Sequence, residues 1–552
     1  MTSSPNSESV RAWIDADPDA ASRVELEALL DDSVELSERF GDTLHFGTAG
    51  LRGIVRAGPN GMNVATVTRA TYAVATWLRR HGHAGGTVVV GRDARHGSAD
   101  FFAATTEVLA AQGFDVVALP DPVPTPLVAF GTRSLGAVAG IQITASHNPA
   151  TDNGYKLYTQ GGRQIVGPDD VEIEAIMAGS MAAKDVARVA VSSNERAQRV
   201  RAEYLTRLAS LPLGDGRTPL RIALTPMHGV GGHIAVDALR AAGFDDIHLV
   251  EAQFAPDPDF PTVRFPNPEE PGAAALLLAT AADVGADLAI ALDPDADRVA
   301  VGIPTADGWR MLSGDETGAL LCAYLLENSP PGPKTVASSI VSGTLAGAVA
   351  QASGAHTVRT LTGFKWLSRA DDNPDLPPLR YAYEEAIGHC VDPDAVRDKD
   401  GISASIVLSS LARQQKTRGG DLSGMLDELY RKFGVHHTSA RSRRLSNSGE
   451  FEVVMGNLRS NPPAQVSGIR LSVEDYAVRD DRLRTDAILM TGTTTDARLR
   501  VMVRPSGTEP KIKYYVETIV AANEYGHTQS LDDLKQRAAQ LATAALTELL
   551  AD

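Results

Sequence analysis

Four short stretches of the chain carry residue types whose spacing suits phosphoryl transfer. In Thr144-Ala145-Ser146-His147-Asn148-Pro149, a serine stands beside an imidazole and a carboxamide. A serine hydroxyl is a weak nucleophile unaided, whereas a phosphoserine is a phosphoryl donor that needs cations and hydrogen-bond donors around the charge that moves. His147 and Asn148 can donate, and Lys156, in Asp152-Asn153-Gly154-Tyr155-Lys156, is near enough in sequence to reach the same place. Alone, the hexapeptide is also an ordinary Ser/Asn/Pro turn. A serine-hydrolase elbow fits less well, because Thr144 and Asn148 stand where that turn needs glycines.

The second stretch, Asp293-Pro294-Asp295-Ala296-Asp297-Arg298, offers three carboxylates and a guanidinium. On an extended backbone a spacing of two points all three acids the same way. Converging carboxylates repel unless a hard cation such as Mg2+ lies among them, and that ion can take a phosphoryl oxygen as a further ligand. Metal binding is the simplest reading, with a solvated acidic turn as the alternative. A calcium loop lacks support, since Arg298 occupies its glycine position and Pro304 its acidic twelfth position. The third stretch, Arg504-Pro505-Ser506-Gly507-Thr508, presents a guanidinium, hydroxyls and a flexible backbone suited to a phosphate dianion, or else a plain hairpin turn. In the fourth, Glu384-Glu385-Ala386-Ile387-Gly388, the acids can accept from sugar hydroxyls or form a solvated face. Arg52, in Thr48-Ala49-Gly50-Leu51-Arg52-Gly53, can add positive charge beside a transferring group, although an exposed arginine is equally natural there.

Such loops need a scaffold. Strand-like apolar runs alternate with Ala-rich helical stretches: Thr87–Val90, Phe101–Gln112 and Asp115–Leu119, then Leu220–Leu224 with Gly231–Ala242, then Thr335–Ala337 with Gly343–Gln351. This alternation predicts three similar α/β units with parallel strands. Ser146 follows the apolar run 136–143, so it falls at the carboxyl edge of a buried strand, where ligands of α/β sheets collect. The acid triplet lies between the runs 288–292 and 299–301. The last hundred or so residues differ: Arg498–Val503 alternates at period two, and Leu531–Leu550 reads as a closing helix. A smaller sheet with helices on one side is expected there. The polar residues 1–38 read as a helical arm with an apolar stripe of Val24, Leu26, Leu29 and Leu30. Boundaries are expected in 211–216, around Ala306-Asp307-Gly308, and at the basic run from Arg441, read as a linker. The division is thus 1–38, 39–210, 211–307, 308–440 and 441–552.

Composition bounds the function. At 552 residues the chain exceeds what one core organises, and 43% hydrophobic with 22% charged residues is ordinary for a packed protein. A formal charge of -17 disfavours nucleic acid as a partner. Two distant cysteines, Cys322 and Cys390, argue for a reducing compartment, and no run approaches the roughly 18 apolar residues of a membrane span. The expectation is a cytoplasmic enzyme without a membrane partner.

Taken together and in this order, the four stretches resemble the α-D-phosphohexomutase superfamily, the phosphoglucomutases and phosphomannomutases, over nearly the whole chain. The arm and the stretch Phe260–Glu270 look like the branch that includes phosphopentomutases. The resemblance implies four domains around a central cleft, three α/β with mixed sheets and a smaller α+β C-terminal one. It implies Ser146, His147, Lys156 and Arg52 at the catalytic centre. Metal ligation would fall to Asp293, Asp295, Asp297 and Ser146. Substrate would meet Arg298, Thr362, Gly363, Glu384, His389, Lys399, Arg504, Ser506, Gly507 and Thr508. Within that set, Lys156 or His389 would transfer protons, and Lys399 with Arg504 would anchor the distal phosphate. The implied reaction interconverts glucose 1-phosphate and glucose 6-phosphate through a phosphoserine and a bisphosphorylated sugar, with Mg2+ as cofactor and a sugar bisphosphate as activator. Mannose and pentose phosphates are the alternatives, since Ala386 stands where many members have a sugar-contacting serine and Lys513 where some have an arginine. Two other classes are the alternatives: a non-catalytic sugar-phosphate binder, which needs neither Ser146 nor the acids, and an aspartyl-phosphate phosphatase using Asp295 as nucleophile and Asp297 as acid.

Overall fold

A computed structural model describes residues 7–47, 50–192, 194–211, 218–445, 449–506, 511–521 and 530–551. The chain forms two compact units, residues 1–311 with 388–413, and 312–387 with 414–552.

The first unit holds two α/β sheets. In one, the Val-rich strand Thr87–Arg92 runs parallel between Asp115–Ala118 and Ala139–Ile143. Asp152–Thr159 and Leu51–Ile54 then continue it antiparallel. Val88, Val89, Val90, Ile141 and Ile143 are fully buried, as parallel strands covered on both faces require. The helix Val64–Arg80 turns Val67, Ala70, Val74, Trp77 and Leu78 into that core. In the second sheet, Ile222–Thr225 runs parallel to Ile247–Leu249 and Leu288–Leu292, and the hairpin Val299–Thr305 with Gly308–Met311 adds an antiparallel edge. The stretch Ala306-Asp307-Gly308, expected near a boundary, is the turn of that hairpin, because Asp-Gly readily takes a hairpin turn, and the first unit's long segment ends just beyond it at Met311.

The arm is three short helices, Ser7–Ala16, Ala20–Ala28 and Ser33–Phe40, the last two capped by Asp19 and Asp32. Val10, Ile14, Leu26 and Leu36 form its core with Ala57; Val24, counted in the expected stripe, is exposed.

In the second unit, Thr335–Ser339 runs parallel between His356–Thr360 and Leu379–Glu384. A separate antiparallel sheet follows the order Val435–Arg444, Lys511–Val520, Ala497–Pro505, Ile488–Thr493, Ser472–Asp475. Period two delivers Leu499, Val501, Val503, Ile512, Tyr514 and Val516 to one face, where Met455 of the helix Gly449–Ser460 and Ala542, Leu546 and Leu549 of the helix Leu531–Ala551 cover them. The basic run Arg441-Ser442-Arg443-Arg444, expected as a linker, is instead the end of an edge strand paired with residues 511–514. Its charges are exposed there, and charge on an edge discourages pairing with another chain. Among the described residues no helix is long and apolar enough to cross a membrane.

Candidate active site

Ser146 stands just past the buried strand Ala139–Ile143, as expected. The chain leaves the strand with Thr144 N donating to Gly154 O at 3.0 Å, and Ser146 N then donates to Thr144 Oγ1 at 2.9 Å. Ser146 has φ 54°, a left-handed conformation that a non-glycine residue holds only when its surroundings impose it. Arg95 imposes it. Its buried guanidinium donates to Ser146 O at 2.6 Å, Asn148 O at 2.7 Å and Pro149 O at 2.7 Å, while Phe260 packs against it.

The three acids lie between Leu288–Leu292 and Val299–Thr305, but the backbone joining them is not extended. Ala296 N donates to Asp293 O at 2.8 Å, Ala296 has φ 54°, and Arg298 N donates to Asp293 Oδ1 at 3.0 Å. The carboxylates therefore converge because the loop curls, which corrects the expectation of strand-like alternation. The loop rests on Pro226-Met227-His228-Gly229, with Val230 N donating to Pro294 O at 2.9 Å. A Cβ on Gly229 would fall 2.3 Å from Pro294 Cα, so only glycine permits this approach. Thr125 N donates to Asp295 O at 2.9 Å and Thr125 Oγ1 to Asp295 Oδ2, tying the acid loop to the helix Thr125–Ser134.

Asp293, Asp295 and Asp297 are buried, and each places a carboxylate oxygen within 4.8 Å of the others. Ser146 Oγ donates to Asp293 Oδ2 at 2.9 Å. Lys156 Nζ donates to Asp295 Oδ2 at 2.6 Å and Asp297 Oδ2 at 2.7 Å, and Lys399 Nζ lies 3.3 Å from Asp297 Oδ2. Burial, then Asp295 and Asp297, push the Asp293 carboxyl well above the usual range. Burial would do the same to Asp297, but Lys156, Lys399 and Arg298 overcome it and hold that carboxyl well below. Burial would likewise lower the Lys156 ammonium, yet Asp295 and Asp297 keep it above its ordinary value. Asp295 Oδ1 and Asp297 Oδ1 accept no hydrogen bond among the described residues. Two such buried oxygens beside the Asp293 carboxylate are the hard, anionic donor set that Mg2+ takes, so the residues present fit the ion.

The remaining residues of the first unit are distributed around this cluster. His147 Nδ1 is 3.2 Å from Ser146 Oγ, and burial, then Arg298 and Arg52, push its imidazole well below the usual range, leaving it neutral at pH 7. Exposed Arg52 donates to Asn148 Oδ1 at 3.2 Å. Arg298 Nε lies 3.7 Å from Asp297 Oδ1. His389, expected at the substrate, is fully enclosed in the strand Gly388–Cys390, and burial takes its imidazole down to about 3. Lys399, expected at a distal phosphate, has its ammonium committed to Asp297 and Asp398.

In the second unit, Glu384 ends the strand Leu379–Glu384 and is half-buried. Its neighbour Glu385 is turned inward, where Ser339 Oγ and Ser342 Oγ each donate to its Oε2 at 3.0 Å. Thr362 and Gly363 precede the short helix Phe364–Leu367, Gly363 with φ 102°. Arg504 lies on Ala497–Pro505 opposite Lys513, and Ser506 N donates to Lys511 O at 2.8 Å across the hairpin. Gly507 and Thr508 lie outside the described residues. Tyr515, on the neighbouring strand, has its hydroxyl pushed up by burial and by Glu385; Arg504 bonds it and Glu384 lies nearby, so one side chain relates the two loops.

Sequence reasoning passed over Arg95, Thr125 and the loop 226–230, all of which act through the backbone. A positive residue closely following the strand Thr87–Arg92 was the available signal for Arg95; nothing local marks Thr125.

Comparison with known proteins places these loops in context. Residues 43–184, 202–306 and 313–433 match, in order, the alpha/beta/alpha domains I, II and III of phosphoglucomutase/phosphomannomutase. The chain is 38% identical over 463 residues to a Haemophilus influenzae protein described as a probable phosphomannomutase, an alignment spanning 83% of this chain and 93% of that one. It is 34% identical over 530 residues to the phosphopentomutase of Mus musculus, covering 88% and 85% of the two chains. It is 32% identical over 501 residues to the phosphoglucomutase of Staphylococcus haemolyticus, covering 86% and 90%. The fold is shared with a phosphoglucomutase/phosphomannomutase family protein of Burkholderia thailandensis, with a TM-score of 0.66 at 20% identity over 91% and 97% of the chains. With three family domains matched in sequence order and relatives of this identity along most of its length, the chain belongs to the phosphoglucomutase/phosphomannomutase family and is a phosphosugar mutase.

Proposed function

We propose that this enzyme interconverts glucose 1-phosphate and glucose 6-phosphate through phospho-Ser146 and a bisphosphorylated sugar. The observation that carries this reading is Ser146 Oγ at 2.9 Å from Asp293 Oδ2, on the rim of the buried acid cluster. Mg2+ held by Asp293, Asp295 and Asp297 would withdraw charge from the phosphoryl oxygens.

The free sugar hydroxyl attacks the phosphorus of phospho-Ser146, and the bond from phosphorus to Ser146 Oγ breaks. Neutral His147 takes the hydroxyl proton and returns it to the released Oγ, which lies 3.2 Å from its Nδ1. Lys156 serves as a fixed cation here, because Asp295 and Asp297 hold its proton in place. Arg52 and Arg298 supply further positive charge, Glu384 accepts from sugar hydroxyls with Thr362 and Gly363 beside it, and Arg504 with Ser506 takes the phosphate that stays. The bisphosphate then returns its other phosphate to Ser146, which releases the isomer and restores the phosphoenzyme. A trace of sugar bisphosphate primes the cycle. Free, buried Cys322 and Cys390 support a cytoplasmic setting.

A second reading, a pentose phosphate as substrate, is favoured by Ala386, which brings no hydroxyl to the Glu384 loop. The test offers glucose 1-phosphate, mannose 1-phosphate and ribose 1-phosphate with Mg2+ and the matching bisphosphate to wild type and Ser146→Ala. Preferred turnover of glucose phosphate, lost in the variant, is the expected result. Preference for another sugar replaces the substrate, and full activity without Ser146 removes the mechanism.

A further inference from the structure

Fully buried Ser342 lies in the loop between the strand Thr335–Ser339 and the helix Leu345–Ala352 of the second unit. Its hydroxyl grips the sugar loop at two points, donating to Glu385 Oε2 at 3.0 Å and accepting from Glu385 N at 3.1 Å. Its main-chain carbonyl is held by Arg359 Nη1 at 3.0 Å and Arg500 Nη1 at 3.4 Å. Arg500 also donates to Ile340 O, and its guanidinium lies 3.9 Å from Glu517 Oε2. Glu517 in turn accepts from Thr344 N at 2.7 Å and Thr344 Oγ1 at 2.8 Å, so the same loop is fastened a second time.

Arg500 and Arg504 are four residues apart on one strand and therefore share a face. A continuous set of bonds thus runs from the strand of Arg504, through Arg500 and Ser342, to the main chain of Glu385, one residue from Glu384. Buried hydrogen bonds of this kind are costly to break, because each lost partner leaves a polar group unsatisfied.

We infer that Ser342 and Arg500 are positioning residues that fix where the sugar-hydroxyl acceptor Glu384 stands relative to the phosphate anchor Arg504, and so set which sugar length the enzyme accepts. This rests on the reading of those two loops given above. Neither residue touches substrate; both act through Glu385.

The test measures calorimetric binding of glucose 1-phosphate, ribose 1-phosphate and inorganic phosphate to the full chain, with Arg504→Gln identifying the phosphate site and melting curves confirming the fold. Ser342→Ala and Arg500→Gln should each weaken glucose 1-phosphate about tenfold and inorganic phosphate less than about twofold. Each should also narrow the ratio between the two sugars. Arg500→Lys, which can still donate to a carbonyl, should recover most of the loss. The double variant should be no worse than the poorer single, since both cut one chain of contacts. Equal losses for sugar phosphate and inorganic phosphate, or additive losses, overturn the positioning role. If wild type binds glucose 1-phosphate no better than inorganic phosphate, the sugar-loop reading falls and takes the inference with it. If wild type discriminates and both variants do so equally well, the inference alone falls.

Discussion

The acid cluster of the first unit and the loops of the second, proposed above to meet the sugar phosphate, are built on different physical principles. Around Ser146, three carboxylates and two ammonium groups are buried within a few ångströms, and each loop is locked through its backbone by Arg95, Thr125 or the Gly229 turn. In the second unit, Glu384 and Arg504 are half-buried, at a strand end and a hairpin, and the rigid part is the layer behind them: Ser339, Ser342, Arg500 and Glu517. Chemistry demands that charge be fixed before the reaction starts, since reorganising it during the reaction adds to the barrier. Recognition demands only that a few donors and acceptors be held at the correct spacing.

That contrast is testable by substitution on either side. Ser146→Ala should have the largest effect, a loss of turnover on the order of 10^4-fold with sugar-phosphate binding retained, because it removes a group that acts only in the reaction. Lys156→Met comes next: it leaves buried carboxylates without their closest cation, and stability should fall by about 3 kcal/mol. Added Mg2+ should raise the melting temperature of that variant more than that of wild type; an equal rise in both would mean that the acids do not hold the ion. On the recognition side, Arg504→Gln should raise KM by roughly tenfold to a hundredfold with kcat little changed, matching the loss of a charged hydrogen bond. A fall in kcat of the same size would erase the division between the two regions.

The smallest effect concerns pH. Burial tends to raise the Glu517 carboxyl, but the hydrogen bond from His436, the nearby charge of Arg500 and the hydrogen bond from the Thr344 N–H bring it down to about 2, below its ordinary 4.5. A depressed carboxyl contributes stability that is present above the unfolded value and lost as pH falls through the folded one. Acid unfolding of the second unit should therefore begin below about pH 4.5 and deepen towards pH 2, with the wild type losing about 3 kcal/mol across that window. Glu517→Gln should flatten the limb, as followed by circular dichroism against pH.

Much of this was legible before folding was considered. The α/β alternation, Ser146 beyond its strand and the acids between two strands follow from apolar runs bounded by turn-formers, because burial of a strand requires apolar side chains along its length. The basic run at Arg441 was misread as a linker, since an exposed edge strand and a linker present the same charged pattern. The stretch Ala306-Asp307-Gly308, expected near a boundary, is a hairpin turn at the end of the first unit's sheet, since a turn inside a sheet and a turn between domains use the same residues.

The sequence alone determined which groups are available: a serine that can carry phosphate, three acids, two lysines and an arginine at a hairpin. Side-chain chemistry is local, and spacing reports it. Only the tertiary structure decided which of them meet: that Lys156 neutralises Asp295 and Asp297, that Arg95 holds the Ser146 turn, that His389 is enclosed, and that Ser342 ties Arg500 to Glu385. Those pairs are separated by tens to well over a hundred residues, and their partners are selected by packing and burial, which no local pattern encodes.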